Sequence, residues 1–113
     1  MKIEWAFLRN NWNSCAKTRE FLASREIEIV AEDNARKVKL DGDAVWAKMH
    51  TAGQIFAAKG RKKVLQWTPS EENREEILSE VIGRSGNLRA PTLLVDGQFV
   101  VGFNDGLYDQ VFG

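Results

Sequence analysis

Apolar residues fall in short, separated groups along this chain. Residues 2–8 alternate loosely and carry bulky apolar types, the pattern of a strand buried on at least one face. Residues 9–14 are polar and include Asn10, Asn11 and Asn13, which predicts a loop. Ser14 suits the N-cap of a helix running to about residue 23, with Cys15, Thr18 and Leu22 on one face and Phe21 beside them. Ile27-Glu28-Ile29-Val30 predicts a second strand. A strand, a helix and a strand joined this closely predict a parallel pair with a right-handed crossover.

Residues 41–53 predict a second helix, capped by Asp41 or Asp43, with Val45, Trp46 and Met49 on one side and Gly53 at its end. Residues 55–58 and 64–67 are apolar runs around Lys59-Gly60-Arg61-Lys62-Lys63. They predict a hairpin, with one broken helix as the competing reading. Thr68-Pro69-Ser70-Glu71 predicts a helix start in which Thr68 caps, Pro69 takes the first helical position and Glu71 closes a capping box. Ile77, Leu78, Val81 and Ile82 form its apolar stripe, and Gly83 ends it. Residues 92–95 and 98–101 around Asp96-Gly97 predict a two-residue hairpin, because Asp-Gly supplies the positive φ angles the turn needs. Asn104 then caps a last helix with Leu107, Tyr108, Val111 and Phe112 inward. The order is strand, helix, strand, helix, insert, helix, strand, strand, helix.

Composition narrows the chemistry. The chain has 113 residues, 43% of them hydrophobic and 28% charged, which suits one domain over residues 1–113. Sixteen basic side chains balance sixteen acidic ones, so bulk nucleic acid and an anionic membrane are not expected partners. No apolar run is long enough to span a bilayer, and Glu4 and Arg9 interrupt any signal-peptide core. A cytoplasmic location is expected. With one cysteine, Cys15, and one histidine, His50, neither an internal disulfide nor a metal site is expected.

Two motifs carry a resemblance. Trp12-Asn13-Ser14-Cys15 lies between the first strand and first helix. Leu88-Arg89-Ala90-Pro91-Thr92-Leu93-Leu94-Val95-Asp96-Gly97 continues to Val100-Val101-Gly102-Phe103-Asn104. Together they resemble the arsenate-reductase (ArsC)/Spx branch of the thioredoxin superfamily, over most of the chain. Ala35-Arg36-Lys37-Val38 and the run from Gly83 to Leu93 resemble a subgroup of ArsC-family proteins that includes selenoproteins.

The resemblance implies an α/β thioredoxin-like fold: β-α-β, then α-β-β-α, with a mixed four-stranded sheet flanked by helices and an insert before the third core strand. It implies a cis bond before Pro91, facing the redox loop. It also implies thiol–disulfide exchange at a Cys-x-x-Cys motif, with glutathione or thioredoxin as reductant and no resident cofactor. Here Trp12 holds the position of the family nucleophile and Cys15 that of the resolving thiol. Asn13, Ser14, Arg89, Ala90, Pro91 and Thr92 take the substrate-binding positions. The family places an arginine directly before the proline; this chain has Ala90 there and Arg89 one residue earlier, so arsenate reduction is not expected.

Some members of the subgroup carry selenocysteine at the first motif position. Selenocysteine is encoded by UGA, and UGA readthrough can insert Trp. The resemblance therefore leaves two forms of the exchange with a protein disulfide or with glutathione: a selenol one, in which Trp12 stands in for a selenocysteine, and a thiol one, in which Cys15 at the helix start forms mixed disulfides. The alternative it leaves is a non-catalytic binding protein with a degenerate redox motif, Spx-like in contacting an RNA polymerase subunit.

Each candidate also has a plainer reading. Cys15 could be a buried core residue, and Trp12 an exposed aromatic covering an old groove. Lys17 and Arg19 could lower the Cys15 pKa or simply face solvent. His50 suits a helix C-terminus, the basic run 59–63 suits a charged turn, and Trp46 and Trp67 suit the core.

Overall fold

The computed structural model describes all residues 1–113. The chain forms a mixed sheet flanked by four helices. Its strands are β1 (Lys2–Ile3), β2 (Trp5–Leu8), β3 (Glu28–Ile29), β4 (Glu32–Asn34), β5 (Gln54–Lys59), β6 (Lys63–Trp67), β7 (Thr92–Val95) and β8 (Gln98–Val101). Its helices are α1 (Asn13–Ser24), α2 (Gly42–Met49), α3 (Arg74–Val81) and α4 (Asp105–Phe112).

The six-stranded main sheet has the order β4-β2-β7-β8-β5-β6. β2 pairs parallel with β4 and antiparallel with β7, and all four of its residues are buried, as a strand covered on both faces requires. β7 and β8 form the hairpin expected at Asp96-Gly97, whose φ angles are 51° and 72°. The 54–67 segment is a hairpin and not a broken helix. It joins the sheet through β5, which runs parallel to β8, so the sheet has six strands where four were expected.

The N-terminal strand divides at Glu4. β1 pairs with β3 in a separate two-stranded ladder, while β2 enters the main sheet. The predicted strand at 27–30 is shorter, with only Glu28–Ile29 pairing with β1, and the partner of β2 is β4, which lies beyond the predicted range.

Local chemistry explains the helix ends. The Asp41 carboxylate accepts the Ala44 N–H at 3.0 Å, and the Asn104 side-chain oxygen accepts the Leu107 N–H at 2.9 Å. α3 does not start at Thr68. Thr68 and Ser70 both head a three-residue spacing that fits a capping box. Ser70 is used: its N–H donates to the Asn73 side chain at 2.8 Å, and a 3₁₀ turn over Glu71–Asn73 leads into α3. Thr68 is occupied elsewhere, accepting from Gln54 and from the Asn73 amide. Pro69 thus lies before the helix.

The helices associate in two pairs. α1 meets α4 through Phe21, Tyr108 and Phe112, with ring centroids 5.2–5.6 Å apart, and through an Arg25–Asp109 ion pair. α2 approaches α3, where Arg74 bonds Asp43 and the Trp46 indole N–H donates to Glu71. Between helices and sheet lies one core containing Ile3, Phe7, Leu22, Val45, Ile77, Leu93 and Tyr108, all 2% exposed or less. Trp46 belongs to this core. Trp67 is half-buried, with its N–H on Glu76. His50 sits at the end of α2 with its Nδ1 beside the Trp46 and Ala47 carbonyls. No helix is long and apolar enough to cross a membrane.

Candidate functional site

Residues 12 and 15 lie about one turn apart at the start of α1, in opposite environments. The helix begins one residue before Ser14, so Trp12 and not Ser14 holds the N-cap position. Trp12 is 42% exposed, and the Arg9 guanidinium lies 4.3 Å from its ring centroid, in cation–π range. Ser14 lies in the first turn, where its carbonyl accepts the Thr18 hydroxyl at 2.9 Å. Thr18 has one proton and gives it to Ser14, so the buried Tyr108 hydroxyl, 3.0 Å away, is the donor to Thr18. Burial pushes the Tyr108 pKa up strongly, so the ring stays neutral and able to donate.

Cys15 is 2% exposed. Its Sγ accepts the Arg9 backbone N–H at 3.3 Å. Burial pushes the thiol pKa up. The Arg9 N–H and the charges of Arg19 and Arg9 oppose this less strongly. Arg19 is itself held by both carboxylate oxygens of Glu32. A raised pKa leaves less thiolate at neutral pH, and burial restricts access to it. Alkylation of Cys15 by iodoacetamide at neutral pH, followed by mass spectrometry, is expected to be about tenfold slower than that of a free cysteine. Unfolding in urea should remove the difference. Reaction at the free-thiol rate in the folded protein would contradict this description.

Two depressions open beside the start of α1, sharing Ser14, Lys17 and Phe103. One, of about 550 Å³, is bordered by Asn11, Trp12 and Asn13. The other, of about 640 Å³, runs toward Ala90 and the first residues of α4, with Arg61 and Arg89 along it. Three cationic side chains, Lys17, Arg61 and Arg89, face one carboxylate, Asp105. Neither Lys17 nor Arg61 forms an ion pair.

The second motif reaches the same place with its groups largely engaged. The Ala90–Pro91 bond is cis. Ala90 borders the larger depression, while Pro91 and Thr92 are buried and border neither. The Pro91 carbonyl accepts the Gly102 N–H at 2.7 Å, and the Thr92 hydroxyl donates to the Arg89 carbonyl at 2.7 Å. Arg89 is half-buried. Its guanidinium donates to the Glu80 carbonyl at 3.0 Å and to the Ala58 carbonyl at 2.9 Å, so it ties α3 to β5. Its desolvation pushes its pKa down, against the pull of Glu80. Arg89→Ala leaves both carbonyls without this partner and should cost roughly 2–3 kcal/mol in urea denaturation. A loss within experimental error would show that Arg89 does not hold these elements together.

The geometry therefore brings Trp12, Asn13, Ser14, Arg89 and Ala90 around two depressions that share lining residues, while Cys15, Pro91 and Thr92 are buried and border neither. It adds Arg9, Arg61 and residues 102–106, which the motifs alone did not assign to a site. The signal for residues 102–104 was present in Gly102-Phe103-Asn104. Arg61 had none, because the pairing of β5 with β8 brings it here. No cluster of three or more His, Cys, Asp and Glu side chains capable of holding a metal ion is present. In sequence, the chain matches no family model and no curated protein.

Proposed function

We propose that this chain is a thioredoxin-fold oxidoreductase of the ArsC/Spx type whose exchange begins at position 12, with Trp12 standing where the natural protein carries selenocysteine. The observation that carries the reading is the contrast at the head of α1: position 12 is open to solvent under an arginine, whereas Cys15 is enclosed and its thiol disfavoured as an anion. A strand order of β4-β2-β7-β8, with β2–β4 parallel and the other two pairs antiparallel, and a cis Pro91 are in keeping with a thioredoxin-like core. The β5–β6 hairpin is then the insert.

In the proposed reaction the selenolate at position 12 attacks one sulfur of a disulfide. A selenium–sulfur bond forms, the sulfur–sulfur bond breaks, and the departing thiolate takes a proton from water. The Cys15 thiol, deprotonated as it reacts, attacks the selenium and releases the second sulfur as a thiol. The bridge left between positions 12 and 15 is reduced by two thiols, from glutathione or thioredoxin, which become a disulfide. Lys17 and Arg61, which line the groove and form no ion pair, favour an anionic substrate. The reaction belongs in a reducing compartment such as the cytoplasm. Arsenate reduction is not proposed, because the Arg89 guanidinium is committed to carbonyls.

Reading the natural gene tests the selenol directly: UGA at codon 12 is expected, and UGG ends that part of the reading. The exposed indole under Arg9 favours a second reading for the chain as written, a non-catalytic binding protein that uses Trp12 for docking. Capture of an RNA polymerase subunit by the Trp12 protein, equal in oxidising and reducing buffer, is the result that reading expects.

A further inference from the structure

We infer that Arg9 is the group that holds the reacting pair in register and stabilises the anion at position 12. The inference rests on the proposed exchange at that position. Arg9 touches both sites. Its backbone N–H donates to the Cys15 sulfur at 3.3 Å, and its guanidinium lies over the side chain of residue 12, 4.3 Å from the ring centroid. The two contacts come from different parts of one residue, directly after β2.

The guanidinium is available for this work. Arg9 forms no ion pair with any carboxylate. Arg19, the other arginine near Cys15, is tied to Glu32. Of the remaining groups around position 12, Lys17 borders the same depression from α1, Asp105 borders the neighbouring one from the start of α4, and Tyr108 from α4 is neutral and bonded to Thr18. The depression that contains Trp12 has no carboxylate along it. A cation held close to a chalcogen favours its ionised form, and a partly exposed one does so with salt sensitivity.

The test uses the full chain carrying Trp12→Cys, with arginine, lysine or glutamine at position 9. Alkylation of the introduced sulfur is followed by site-resolved mass spectrometry across pH, and thermal melts check folding. Arg9→Gln should slow the reaction roughly three- to tenfold at neutral pH and move its pH profile upward. Arg9→Lys should restore most of the rate, and high salt should shrink the difference. The Arg9 N–H survives both changes, but Arg9→Gln removes a charge that lowers the Cys15 pKa, so the Cys15 profile should move upward by less than that of position 12. A reactive sulfur at position 12 with the same profile in all three proteins would overturn the role of Arg9 while leaving the proposed exchange intact. A sulfur that reacts no faster than free cysteine even with Arg9 present would overturn both.

Discussion

Trp12→Cys should raise disulfide-reducing activity on the order of a hundredfold above the Trp12 protein. An indole is no nucleophile, and Cys15 is enclosed and held as a thiol. A sulfur at position 12 would instead lie at an exposed helix N-terminus, where unpaired N–H groups and the helix dipole favour a thiolate. Helical residues three apart have α-carbons about 5–6 Å apart, within the range a disulfide spans. The oxidised variant should therefore carry an internal disulfide to Cys15, seen as a loss of two mass units and of both free thiols. Turnover of a small aromatic disulfide with glutathione as reductant reads the activity. A variant that folds, exposes the new thiol and still reduces nothing would remove the redox reading. Trp12→Cys/Cys15→Ser should keep the first attack and lose the internal release step, so mixed disulfides should accumulate.

The second large effect concerns Gly102. Its φ is +82°, and a β-carbon built there would lie 2.8 Å from the Arg89 Nη2 and 3.1 Å from the Ala58 β-carbon. Backbone in that region costs an alanine about 1 kcal/mol or more. The steric conflict adds to this because Arg89 cannot swing aside freely: its nitrogens are bonded to the Ala58 and Glu80 carbonyls. Gly102→Ala is expected to lower stability by about 3–4 kcal/mol, a large share of the roughly 5–15 kcal/mol typical of a domain. Urea denaturation measures it. In an Arg89→Ala background the same substitution should cost less, because the clash with Arg89 is gone while the Ala58 contact and the positive φ remain. Additive losses would show that Gly102 and Arg89 do not compete for one space.

The parts of the fold readable from the chain were those set by local chemistry. Asp96-Gly97 gave its turn, Asp41 and Asn104 gave their caps, and Cys15, Thr18 and Leu22 gave the buried face of α1. Elements decided by distant partners were not readable. Nothing near Glu4 marks the division of β1 from β2, which follows from two ladders claiming neighbouring residues. Thr68 and Ser70 offer the same local capping chemistry, and the choice depends on Gln54, fourteen residues away from Thr68. The site divides along the same line. Trp12, Cys15 and Ala90-Pro91 stand out as motif positions. Arg9 and Arg61 look like ordinary charges in a loop and a turn until β2, β5 and β8 are assembled.

The placement of β2 bears on how the chain must be synthesised. β2 leaves the ribosome well before β7, yet one of its two pairing edges belongs to β7. Local elements such as α1 can form early, but the central ladder has to wait until β7 has emerged. During that interval the segment around position 12 would be uncovered, without the groove wall contributed by Ala90 and residues 102–106. A chain that stops short of β7 would leave a hydrophobic strand with a vacant edge, which makes truncated products candidates for aggregation or proteolysis.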